Sequence, residues 1–176
     1  MNDAVKPPLG ASAIPLLWIS VLVIAVDQLT KLWIERTMLL GDSFAVLPVL
    51  DIVRAHNSGA AFSFLATAGG WQRWAFSVLA VGVSIGIIYW LRNLVRATQA
   101  LLAIGLALIL GGAIGNVIDR IEHGYVVDFI FAHWDIHYFP AFNVADSAIT
   151  IGAGLVILDA LREWRREQAL KSSQGK

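Results

Sequence analysis

The 176-residue chain (19.1 kDa) is 57% hydrophobic and only 15% charged, with a mean hydropathy of +0.68. Soluble domains carry about 25% charged residues, so a soluble or disordered class is excluded, and 13 basic against 13 acidic residues give no footprint for a nucleic-acid partner. The absence of cysteine removes disulfides, zinc–thiolate sites and thiol nucleophiles. A polytopic helical membrane protein remains.

A bilayer-spanning helix needs about 20 mostly apolar residues. Four stretches qualify, at residues 14–34, 74–91, 100–118 and 141–161. The expected architecture is a single all-α membrane domain over 1–176, with four transmembrane helices. Between the first two spans, alternation and β-branched residues predict a small extracytoplasmic β-sheet over residues 43–65, with Asn57-Ser58-Gly59 as a turn. Residues 119–140 mix aromatics with charges and read as an interfacial loop. The basic tail after residue 161 reads as a solvated helical end in reach of anionic lipid.

Orientation follows the Lys and Arg of the flanks. Lys6, Arg92, Arg96, Arg162, Arg165, Arg166, Lys171 and Lys176 fall on one side, and Arg36, Arg54, Arg73 and Arg120 on the other. Both termini are therefore expected in the cytoplasm. Trp18, Trp90 and Trp164 then mark the inner span ends, and Trp33, Trp71 and Trp74 the outer ones.

Ionisable groups inside a membrane are expensive and usually face a bundle interior. Asp27 and Lys31 lie four apart in the first span, on one helix face, close enough to pair. A self-neutralising structural pair accounts for them at least as well as chemistry does. Asn116, Asp119 and Arg120 close the third span at offsets of three and four, and a helix-end salt bridge accounts for the last two. Gly111 and Gly115 form a GxxxG that lets a neighbouring helix approach. Gly82 and Gly86 read as packing only. Asn143 and Asp146 sit at the outer start of the fourth span with no Lys or Arg nearby in sequence. A hydrogen-bonded carboxylate at a helix N-terminus would explain Asp146, but its depth in the span favours function. Asp128 has an apolar flank, and folds back over Asp146 if the third and fourth spans are neighbours. Two carboxylates held together share one proton. One can take a proton from water while the other donates to a carbonyl oxygen. His133 and His137, at i and i+4, would suit a metal only if that loop were helical, and no metal or other cofactor is expected.

In order, these pieces resemble the signal peptidase II (lipoprotein signal peptidase) family. Five blocks carry the resemblance: D-x-x-x-K at Asp27 and Lys31, N-x-G-A-A-F at residues 57–62, G-G-x-x-G-N-x-x-D-R at 111–120, V-x-D-F at 126–129 and F-N-x-A-D at 142–146. The resemblance implies an aspartic endopeptidase of the bacterial inner membrane. Its substrate would be a prolipoprotein whose cysteine carries diacylglycerol, cut on the amino side of that cysteine near the outer face. It places the catalytic pair at Asp128 and Asp146. Substrate-binding or supporting positions fall at Asp27, Lys31, Asn57, Asn116, Asp119, Arg120, Asn143 and Ala145. It also implies contact with membrane lipid and inhibition by globomycin-like cyclic peptides, and a monomer is the expected state. A proton-coupled transporter using Asp27, Asp119 and Asp146 as a relay and a non-enzymatic assembly subunit are the competing readings. The transporter lacks the usual repeats, and the subunit has no use for two unpaired carboxylates.

Overall fold

A computed structural model describes residues 11–59 and 70–174. The A-A-F of the second block, and the expected end of the sheet at residue 65, lie outside the described residues. Among the described residues, four helices are long and apolar enough to cross a membrane. They are α1 (Leu17–Thr37), α2 (Trp71–Asn93), α3 (Ala100–Glu122) and α4 (Val144–Gln174). A helix satisfies its own backbone groups, which hydrocarbon cannot do. The apolar side chains Val21, Leu29, Val78 and Ile85 stay exposed along α1 and α2 and present the face that lipid covers.

The central helix is α3, which packs against the other three. Glycines set these contacts. A Cβ on Gly111 would lie 2.8 Å from the Val23 Cβ of α1. One on Gly112 would run into the Ala145 carbonyl of α4. Further down the same interface, Gly105 and Gly152 face each other, and a Cβ on Gly152 would lie 2.6 Å from the Gly105 carbonyl oxygen. Overpacking of this kind costs about 1–3 kcal/mol. Gly152→Ala is therefore expected to lower the thermal midpoint in detergent, while Gly154→Ala, with open space around it, leaves it unchanged. The packing role read for Gly82 and Gly86 is not seen: among the described residues nothing lies within 4 Å of either added Cβ.

Among the described residues, the end of the bundle formed by the C-terminal end of α1 is capped by a four-stranded antiparallel sheet. Its strands are β1 (Ser43–Leu47), β2 (Leu50–Asn57), β3 (Val126–Trp134) and β4 (His137–Tyr138), in the order β1-β2-β3-β4. The expected interfacial loop is thus half of this sheet. Val126 to Phe129 are all buried, so the strand lacks the alternation that a half-exposed strand would print in the sequence. Val127 and Phe129 pack with Ile34 and Met38 at the end of α1, which seats the sheet on the bundle. An extra residue in β2 between Ile52 and Ala55 makes a bulge opposite β3, just before Asp128 pairs with Ala55. Bulges re-aim side chains and are frequent beside active sites. His133 and His137 lie on different strands of the β3–β4 hairpin, so the helical spacing that would have suited a metal does not arise. Among the described residues no group of three His, Asp or Glu side chains gathers for a metal ion.

Candidate active site

The site is built where β2 and β3 cross the ends of α1, α3 and α4. Asn143 opens α4 with a capping box. Its Oδ1 accepts from the Asp146 amide at 2.9 Å, and Asp146 Oδ2 accepts from the Asn143 amide at 3.3 Å. This fixes the Asp146 carboxylate at the mouth of the helix. The Asn143 Nδ2 donates to Asp128 Oδ1 at 2.8 Å. One fully buried residue therefore links both carboxylates, its side-chain amide bonding Asp128 and its backbone N–H bonding Asp146. The N-terminal dipole suggested for Asp146 is present too, since Asp146 lies in the first turn of α4. Cap and juxtaposition coexist.

Each carboxylate has a second amide donor. Asn57, the last residue of β2, donates from Nδ2 to Asp128 Oδ2 at 3.1 Å. Its own Oδ1 accepts from the Gly59 amide at 3.0 Å, which forms the expected turn. Asn116 on α3 donates from Nδ2 to Asp146 Oδ1 at 2.8 Å. Burial pushes the Asp128 carboxyl up to about 7, and the neighbouring Asp146 carboxylate adds to the rise, while the Asn57 amide pulls the other way.

Beneath lies a charged cluster. Lys31 Nζ is 2.8 Å from Asp27 Oδ2 and 2.9 Å from Asp119 Oδ2, and it donates to Asn116 Oδ1 at 3.1 Å. The expected Asp27–Lys31 pair is present, but it is part of a triad. A Cβ at Gly115 would lie 2.7 Å from Asp27 Oδ2, so this glycine makes room for the cluster. Asp27 Oδ1 accepts from the Ala145 amide at 2.9 Å, and Asp119 Oδ2 from the Val127 amide at 3.1 Å. Asp27 thus ties α1 to α4, and Asp119 ties α3 to β3. The salt bridge read for Asp119 and Arg120 is not the one formed. Neighbours on a helix do not face each other, and Arg120 turns away, donating to the Gly59 carbonyl at 3.3 Å and lying over the Phe76 ring.

Two clefts meet at the carboxylates, of about 640 and about 730 Å³. The first runs along the sheet and is lined by Asp128, Arg54, His56 and Tyr138. The second opens between helices and is lined by Asp146, Arg120 and apolar side chains including Phe76, Phe142 and Ile149. Asn57, Pro140 and Ala141 line both.

A family model described as signal peptidase (SPase) II matches residues 19–162. The chain belongs to the signal peptidase II family. It is 49% identical over 165 residues to the lipoprotein signal peptidase of Paraburkholderia phymatum, covering 94% of this chain and 98% of that one. It is 51% identical over 153 residues to the lipoprotein signal peptidase of Pseudomonas putida, covering 86% and 89%. A solved bacterial membrane enzyme superposes with a TM-score of 0.74 at 35% identity, over 90% of this chain and 92% of that one. As a signal peptidase II, the protein is a multi-pass bacterial membrane protease, and the transporter and subunit readings fall away.

Every polar residue that carried the resemblance and lies among the described residues is in this one region. Sequence reasoning missed Gln28. Its Nε2 donates to Asp119 Oδ1 at 2.8 Å and lies 3.2 Å from Asp27 Oδ2. The signal was available, since an amide in an apolar span also needs a partner, but attention to ionisable groups passed over it. Asp51 is in β2 and accepts from Ser43 Oγ at 3.2 Å, with His133 Nε2 also at 3.2 Å.

Proposed function

We propose that this signal peptidase II removes the signal peptide from diacylglyceryl-modified prolipoproteins, with Asp128 and Asp146 as the catalytic pair. The observation that carries this reading is the bridge through Asn143, which holds the buried Asp128 carboxylate and the half-buried Asp146 carboxylate together where two clefts meet. A cleft that runs along the sheet, with Asp128, Arg54 and His56 among its lining, suits an extended peptide. An apolar cleft open between helices suits acyl chains that arrive sideways from the bilayer. A bond joining the peptide to a lipid-bearing cysteine would lie at their junction.

Asp128 is the partner that carries the shared proton. One carboxylate takes a proton from a water as that water adds to the carbonyl carbon. Asp128 gives its proton to the carbonyl oxygen. Collapse of the tetrahedral centre returns a hydroxyl proton to Asp128 and breaks the C–N bond on the amino side of the cysteine, and the departing amine takes the water proton held by Asp146. Asn57 and Asn116 orient the two carboxylates, and Arg120 and Ala145 hold the surrounding backbone. No metal or cofactor is required by this chemistry. Both termini lie in the cytoplasm and the pair near the outer face of the inner membrane, as the Lys and Arg bias indicates. Globomycin-like peptides would occupy the same junction, and the protein acts as one domain and as a monomer.

The test is a gel-shift assay in lipid, comparing a diacylglyceryl-modified prolipoprotein with its unlipidated precursor. Cleavage of the lipidated form alone is expected, and equal cleavage of both would overturn the substrate assignment. The pH profile gives a second expectation. Activity that needs a proton on Asp128 falls as pH rises through about 7. The Asn57 amide favours the charged form of Asp128, so Asn57→Leu raises its proton affinity and moves the alkaline limb to higher pH. A limb that stays in place or moves down would exclude Asp128 as the proton carrier.

A further inference from the structure

The two hairpins of the sheet end side by side. β1 and β2 turn between Leu47 and Leu50, and β3 and β4 turn between Trp134 and His137. The His133 amide donates to the Val49 carbonyl at 3.0 Å, which joins the tips. Among the described residues, Leu47, Val49, Trp134 and Ile136 are left uncovered there, the last two 78% and 79% exposed. Hairpin turns in water favour Gly, Asn, Asp and Ser, so four large apolar side chains at joined turns need another surrounding.

The course of β3 shows what that surrounding is. The Val127 amide donates to Asp119 on α3, Val127 and Phe129 pack on α1, and Ile130 exchanges hydrogen bonds with Phe142 just before α4. A strand that meets three helix ends within four residues runs across the end of the bundle, along the plane of the membrane. At about 3.3 Å per residue, residues 131–134 carry the tip roughly 13 Å beyond the last of these contacts. That reach brings it over the lipid around the bundle. The exposed side chains of Trp33, Leu39 and Leu40 lead from the lipid-facing side of α1 up to the sheet.

We propose that the joined tips form a foot in which Leu47, Val49, Trp134 and Ile136 enter the headgroup–acyl boundary of the leaflet on the Asp128 side. The foot holds the sheet flat against the bilayer and so sets the height of the sheet-side cleft above the lipid. The tips carry no Lys or Arg, and their one charged residue is Asp135. The attraction is that of aromatic and aliphatic side chains for the interface, and it works on zwitterionic lipid without anionic headgroups.

The chain has no cysteine, so a single added one labels a unique site. The full chain with Ile136→Cys, carrying an environment-sensitive fluorophore, is placed in phosphatidylethanolamine–phosphatidylglycerol vesicles. Val78→Cys on the exposed side of α2 calibrates lipid, and Ser172→Cys near the C-terminus calibrates water. The expected result is emission blue-shifted from that of the Ser172→Cys label, with quenching by lipids spin-labelled at shallow depth and protection from aqueous iodide. Raising the anionic fraction should leave the signal unchanged. Iodide quenching equal to that at Ser172→Cys overturns the proposal. So does protection that disappears on diluting the protein in lipid, which would assign the tip to a second copy. Val49→Cys repeats the measurement from the other hairpin, so a local effect of the label at 136 is separated from the position of the foot.

Discussion

Asp128→Asn and Asp146→Asn are each expected to slow cleavage by about 10²–10⁴-fold, the range of a lost general acid or base, with the fold retained. Asparagine keeps the size of the side chain and one oxygen acceptor. Among the described residues neither carboxylate takes part in a salt bridge, and the buried cation nearby, Lys31, is matched by Asp27 and Asp119. Removing either charge leaves no buried cation unpaired. Burial works in the same direction for Asp128, whose carboxyl is already disfavoured as an anion. The loss should therefore appear mainly in turnover, with the melting midpoint moved only by the one acceptor per carboxylate that asparagine replaces with a donor. Cleavage of the diacylglyceryl-modified prolipoprotein by gel shift, run beside a thermal melt of each variant, separates the two. A folded variant that still hydrolyses at a substantial fraction of the wild-type rate would remove its residue from the pair.

What the chain discloses before folding depends on how far apart the partners are. The four helices are legible because length and apolarity are local properties, and residues 100–118 fall within the central helix α3. Asp146 stands out because nothing near it in sequence neutralises it. Strand β3 was hidden by its own burial. With Val126 to Phe129 covered on both faces, an apolar run is all that remains to read, and such a run does not separate strand from interfacial loop. Partners distant in sequence were equally hidden. Asp119 has Arg120 beside it, yet its cation is Lys31, 88 positions earlier. Only the packing of α1 on α3, through Gly111 and Gly115, decides that choice. The asparagines were legible as polar residues near the pair, but not their hydrogen-bond polarity, which follows from the donors and acceptors they meet after folding.

That polarity makes Lys31→Met the variant expected to do most damage to the fold. Lys31 is 3% exposed between two carboxylates. Removing one partner of a buried ion pair costs about 3–5 kcal/mol, because the remaining charge has no compensation, and here Asp27 and Asp119 would be left facing each other. The same substitution removes a donor from Asn116. Lysine has no acceptor, so its bond to Asn116 Oδ1 turns the amide such that Nδ2 points to Asp146 Oδ1. Without Lys31 that orientation is held only by Asn143 Nδ2, which donates to Asn116 Oδ1 at 3.2 Å and is shared with Asp128, so the hold on the amide is weakened. Lys31→Met should therefore lower the thermal midpoint sharply and suppress cleavage as well. Adding Asp119→Asn relieves the carboxylate repulsion but does not restore the donor to Asn116. The double variant is expected to recover more of the midpoint than of the cleavage rate. Melting in detergent and gel-shift cleavage on the same preparations give the comparison. A Lys31→Met protein that melts with the wild type would mean that the two carboxylates are neutralised without it. Equal recovery of both properties would reduce Lys31 to a structural counter-charge with no hold on Asn116.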